Sequence, residues 1–211
     1  MVRKTLTHLA AIFMLLGVST ASAETRSEEA ASLVQSLVDR IQTTVKKDPT
    51  PEEIRTETNL IIDEYFDYNL IARFAAGQAW RSATDAERDA YKLAFRDVLL
   101  SLAETQFEYF KNLEYQPKDV TPKGKKLAVV HGIVQDTTGK LPDTVVAWRV
   151  STRPGIPVRI IDVEVENISM LITQQQENTA IIRQNGGQFS ALITALEQMA
   201  LDIKNNKSKT E

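Results

Sequence analysis

The chain has 211 residues, 43% of them hydrophobic, with 25 basic and 28 acidic side chains and no cysteine. That length suits one domain with a sizeable core. The acidic balance argues against a nucleic-acid partner, which needs a basic face, and against tight electrostatic adhesion to anionic lipid. The missing cysteines remove disulfides, thiol catalysis and cysteine-based metal sites.

Arg3 and Lys4 precede an apolar run from Leu9 to Val18, followed by Ala21-Ser22-Ala23. The run is too short for a bilayer span, which takes ~20 residues. The pattern predicts a cleaved secretory signal over residues 1–23, with Glu24 as the first mature residue. Removing Arg3 and Lys4 leaves 23 basic residues against 28 acidic ones, a formal charge of −5. The remainder, with no second spanning run, is expected to be an exported soluble domain over residues 24–204, with a polar tail at 205–211.

Ser27 to Lys47 carries Ala30, Leu33, Val34, Leu37, Val38, Ile41 and Val45 at helical spacing. Asp48-Pro49 stops that helix. Thr50 is placed to cap a second one, with Pro51 in its first turn, running to about Tyr65 or Phe66. Asp67 caps a short third helix that Gly77 ends. Thr84 and Glu87 form a capping box ahead of a long helix with Tyr91, Ala94, Phe95, Val98, Leu99, Leu102, Phe107 and Phe110.

From Leu113 the period becomes two. Strands are expected at Glu114–Val120, Leu127–Gln135, Thr144–Ser151 and Val158–Glu166, with turns at Lys123-Gly124, Thr138-Gly139 and Pro154-Gly155. In the last strand Ile161, Val163 and Val165 alternate with Asp162, Glu164 and Glu166, which predicts one covered and one wet side. Two helices close the chain, Met170 to Asn185 and Gln188 to Lys204, separated by Gly186-Gly187. The fold class is α+β, a helical layer on one face of a four-stranded antiparallel sheet.

Catalytic parts are scarce. The mature chain has one histidine, His131, in mid-strand, read as solvent-facing or locally bonded. No cluster of ligands suggests a metal, and no glycine-rich phosphate loop suggests a nucleotide cofactor. The sequence is therefore not read as an enzyme. Arg73, Trp80 and Arg81 gather near Gly77, either to touch an anionic headgroup or as a snorkelling surface around a packed indole.

Ile71-Ala72-Arg73, Gly77, Trp80-Arg81, the run Ser82 to Tyr91, Phe95-Arg96 and the stretch Asp162 to Met170 stand in a characteristic order. With the Gly186 break before Leu192-x-x-x-Leu196, they resemble the MlaC/toluene-tolerance family. The chain departs from that pattern at Asn167, usually glycine, at Val158, commonly tryptophan, and at Asn178, often aromatic.

The resemblance implies a periplasmic phospholipid carrier with an apolar cavity between helices and sheet. It implies partners as well, namely an outer-membrane lipoprotein complex and an inner-membrane ABC transporter bearing an MCE-domain protein. A monomer suits such a shuttle. A hopanoid or other apolar ligand and a non-lipid adaptor role are the alternatives. On this reading the lipid-facing residues are Leu70, Ile71, Phe74, Tyr91, Phe95, Val98 and Leu102 from the helices. From the sheet they are Val130, Val134, Val146, Trp148, Val163, Val165 and Ile168.

Overall fold

The computed structural model describes residues 18–207. The expected signal up to residue 17 and the last four residues of the expected tail lie outside the described residues.

The first helix, α1 (Val18–Val45), begins earlier than expected and its backbone runs through the expected cleavage site. It ends where Asp48 takes a left-handed conformation (φ 49°) ahead of Pro49. α2 (Pro51–Tyr65) starts with a reciprocal capping box, Glu53 N donating to Thr50 Oγ1 at 3.3 Å and Thr50 N to Glu53 Oε2 at 2.8 Å. Asp67 caps α3 (Tyr68–Ala75) by accepting from Leu70 N. A short 3-10 turn, Gly77–Arg81, follows. Thr84 and Glu87 then close the expected capping box at the head of α4 (Asp85–Phe110).

The sheet is an antiparallel meander in the order β1-β2-β3-β4-β5. Its strands are β1 (Leu113–Pro122), β2 (Leu127–Asp136), β3 (Thr144–Ser151), β4 (Arg159–Val165) and β5 (Ile168–Ser169). The fifth strand is an addition to the four expected. It exists because Glu166 and Asn167 both adopt positive φ, 50° and 63°, the two-residue turn that lets a hairpin keep its twist. Asparagine at 167 tolerates this conformation, so the loss of glycine there leaves the turn intact.

Two expectations for β4 need correction. A register shift opposite Arg149/Val150 pairs Val150 with Ile160 and Arg149 with Asp162, leaving Ile161 as the extra residue. Ile160, fully buried, is therefore the inward side chain, in place of Ile161. Asp162 is also buried, not wet. Its carboxylate accepts from Ser169 Oγ at 2.6 Å and from Leu171 N at 3.0 Å, at the head of α5 (Met170–Gln184). The closing helix α6 (Phe189–Lys207) continues three residues past the expected end at Lys204, into the expected tail.

Three apolar clusters hold these elements. α1 lies on the sheet, with Ala30, Val34 and Leu37 against Ala128, Val130, Val150 and Ile160. A second cluster is wholly helical, joining α3, α4, α5 and α6 around Tyr91, Phe95, Leu192 and Leu196. A small third one, Val45, Ile54 and Phe107, ties α1, α2 and α4 together.

Candidate functional site

The fourteen expected lipid-facing residues fall into two groups. Ile71, Tyr91, Phe95 and Val98 belong to the helical cluster. Tyr91 sits at its centre, stacked on Phe95 at 5.7 Å, with Phe189 at 5.5 Å and the Trp80 ring edge-on at 6.2 Å. Its hydroxyl accepts from Asn178 Nδ2 at 3.3 Å, while the same amide donates to Ala75 O at 3.0 Å. Burial raises the Tyr91 pKa far above the usual phenol value. This arrangement is a filled core with its polar groups satisfied. On its margin Leu70 is half-buried, while Phe74 and Leu102 are about two-fifths exposed.

The sheet residues form the other group. Val130, Trp148 and Val163 sit side by side across β2, β3 and β4 and join the cluster under α1. Further along the same face, away from the α1 contact, come Val134, Val146, Val165 and Ile168. These four stand outside the α1 cluster: Val146 is buried, Val134 and Val165 are half-buried, and Ile168 is 57% exposed.

Tyr115 belongs with this group and was not singled out from the sequence. Its ring lies over Gly132, where a Cβ would come within 2.2 Å of it. It also meets Trp148 edge-on at 6.4 Å, and burial raises its pKa. The signal was present, since an isolated glycine inside a strand marks a close approach. The indole N–H of Trp148 is buried and makes no hydrogen bond.

α4 delivers its C-terminal end to this part of the sheet. Leu113 pairs with Asp136, and Asn112 O accepts from Thr137 N at 2.8 Å. Phe110, 41% exposed, therefore stands at the same end as Tyr115 and Val134. At this end the sheet's apolar face lies outside the α1 cluster, with Ile168 and Phe110 exposed at its margin.

The remaining polar candidates have local roles. His131 Nε2 lies 3.5 Å from Thr121 Oγ1. Glu164 pairs with Arg149 at 2.9 Å, and Glu166 accepts from Val145 N at 2.6 Å. Trp80 packs on Tyr91 with the Arg88 guanidinium over its ring, while Arg73 and Arg81 are exposed. Among the described residues no group of three or more His, Asp or Glu could hold a metal ion, and no helix is long and apolar enough to cross a membrane. A cavity of about 470 Å³ lies between α2, α3 and α4, and a shallower one of about 440 Å³ runs along α1; neither is lined by any of the fourteen residues.

The fold is similar to that of a phospholipid-binding protein from Ralstonia solanacearum, solved in complex with a phospholipid. The two share 18% identity and a TM-score of 0.71, over 83% of this chain and 98% of the other. The family model described as MlaC protein matches residues 31–198, from the middle of α1 into α6. By the extent of that match, the chain belongs to the MlaC family.

Proposed function

We propose that this protein is a soluble periplasmic carrier that holds a phospholipid by its acyl chains and moves it between membranes. The observation that supports this most directly is the apolar stretch of the sheet beyond the α1 cluster, Val134, Val146, Val165 and Ile168, which ends at the exposed Ile168. A surface of this kind in an otherwise acidic, charged chain marks a place where something apolar is covered. Family membership and the lipid bound in the Ralstonia protein point to acyl chains as that something.

The physical need is simple. Each methylene exposed to water costs about 0.8 kcal/mol, so a chain of about fifteen costs about 12 kcal/mol to carry uncovered. A carrier has to cover the chain and let the headgroup reach solvent; it needs no acid, base or nucleophile. The sheet supplies such a surface, and Phe110 at the end of α4 stands exposed at the same end. The direction of travel would be set by the partners, an inner-membrane ABC transporter with an MCE-domain protein and an outer-membrane lipoprotein complex.

The test is native mass spectrometry of the protein purified from a bacterial periplasm, with lipid extraction alongside. A mass shift equal to one phospholipid is expected. A polycyclic ligand in its place would make the protein a hopanoid-type carrier. A protein that stays free of lipid after incubation with vesicles would end the carrier reading and favour an adaptor role.

A further inference from the structure

The end of the sheet away from that apolar stretch carries two loops that lipid carriage does not use. β1 and β2 turn over at Pro122-Lys123-Gly124-Lys125-Lys126, all five exposed. Lys123 N donates to Leu127 O at 2.8 Å, and Gly124 takes the positive φ of 68° that the turn requires. The connection from β3 to β4, Arg153-Pro154-Gly155-Ile156-Pro157, lies beside it, with Thr152 N donating to Lys126 O at 2.9 Å. A Cβ on Gly124 or Gly155 would meet nothing within 4 Å, so both tips stand clear.

The second loop is held in shape from behind. Arg26 Nη2 donates to Arg153 O at 2.9 Å and to Ile156 O at 2.7 Å, yet Ile156 remains 42% exposed between its two prolines. The lysines are free of such ties. Lys118, Lys123, Lys125 and Lys126 have no side-chain hydrogen bond or ion pair among the described residues. Residues 118–126 and 153–159 hold six basic side chains against one acid, Asp119. From Glu24 on, the rest of the chain then has 17 basic and 27 acidic residues. Of the nearby acids, Glu29 pairs with Arg26 and Asp67 with Arg153; Glu28 is exposed on α1.

We propose that this end of the molecule docks on an anionic membrane surface. The lysines would sit in the negative surface potential of the bilayer, and Ile156 would enter the headgroup layer as a single apolar contact. The overall negative charge does not prevent this. At physiological salt, charges more than ~8 Å apart are largely screened, so the membrane meets the basic tips and little of the acidic remainder. Two free tips without a groove between β-strands suit a flat surface better than an extended acidic peptide, which is bound along an edge or in a cleft.

Docking here is separate from lipid carriage. Leu127 and Val134 are seven residues apart on β2, so the apolar stretch lies roughly 25 Å from the tips. A protein seated this way keeps that stretch off the bilayer and gains residence near membrane-bound partners.

The test is sedimentation of the purified protein with vesicles of equal parts phosphatidylcholine and phosphatidylglycerol, at low and high salt. Binding at low salt is expected, absent on pure phosphatidylcholine and lost at high salt. The combined change Lys123→Glu, Lys125→Glu and Lys126→Glu should weaken it by at least about 100-fold, and Ile156→Ser by up to about tenfold. An unchanged melting temperature and unchanged lipid content would show that fold and carriage survive in these variants, as expected for exposed residues outside the lipid site. No binding to the mixed vesicles, binding indifferent to salt, or binding undiminished in the triple variant would overturn the proposal. Capture by immobilised polyglutamate without vesicle binding would assign the patch to an acidic protein and overturn it as well.

Discussion

The helical cluster around Tyr91 and the inner face of the sheet draw on similar side chains, yet they end in different states. In the cluster, Tyr91 stacks on Phe95 and meets the Phe189 and Trp80 rings, and a buried amide, Asn178, bonds both a carbonyl and the Tyr91 hydroxyl. On the sheet, α1 covers one end only, the aromatic pair Tyr115 and Trp148 marks the border, and the Trp148 N–H is left without a partner. Apolar residues facing their own kind from all sides give a core; the same residues covered over only part of a sheet leave apolar side chains exposed at its margin, as at Ile168. Which of the two a valine belongs to is decided by what lies opposite.

The sharpest break of this contrast is Tyr91→Ala. It should cost about 3–5 kcal/mol, read from chemical denaturation, with the lipid content of the surviving folded protein unchanged. A folded Tyr91→Ala protein that has lost its lipid would move Tyr91 from core to site. Gly132→Ala drives a methyl into the Tyr115 ring and should cost about 1–3 kcal/mol, most of it recovered when Tyr115→Ala is added. No recovery in the double variant would show that the ring is not what Gly132 accommodates.

Asp162→Ala should cost about 1–2 kcal/mol by removing the acceptor that serves Ser169 and Leu171 N, measured as a shift in denaturation midpoint. Val165→Glu, half-buried and outside the α1 cluster, should cost only about 1 kcal/mol in stability. It should nevertheless empty the protein of lipid in native mass spectrometry. If it retains lipid as the unaltered protein does, the apolar stretch of the sheet is not the site.

The smallest effect concerns Asp97. Partial burial pushes its pKa up, but hydrogen bonds from Arg55 and Lys204 more than offset this and hold it below the ordinary 3.8. A carboxylate lowered in this way contributes stability above its unfolded value and loses it as pH falls through the lowered one. Asp97→Asn should therefore cost less than about 1 kcal/mol at neutral pH, because the pair is a third exposed, and nothing in strong acid. A gap between the two proteins that persists in strong acid would assign the effect to packing.

The parts of the fold that were legible in the sequence are those set by neighbours along the chain. Thr50 with Glu53, Asp67 with Leu70, and Thr84 with Glu87 each close over three residues, and their side chains form the caps that the spacing implies. The strands were legible through alternation, up to the point where β4 takes in Ile161 as an extra residue. That register depends on the facing strand, which local spacing does not record. Asp162 read as a wet carboxylate because its neighbours Glu164 and Glu166 are half-buried or exposed; its burial comes from α5, which returns over β4 only after the turn at Asn167. In the candidate site the sheet residues were recognisable as apolar, while the division into filled cluster and partly covered face was not. Periodicity says which side chains point inward and is silent on whether anything meets them.

β1 has a consequence for life in a crowded compartment. It forms one margin of the sheet, and its outward backbone groups would be a template for another strand. Pro117 removes a donor there, the pairing slips between Pro117 and Val120, and Lys118 adds a charge. The opposite margin, β5, is two residues long and turns at once into α5. A protein with apolar side chains exposed on its sheet is prone to aggregate through a free strand edge; here β1 is interrupted and β5 is two residues long, so neither margin offers a second molecule a long strand to grow on.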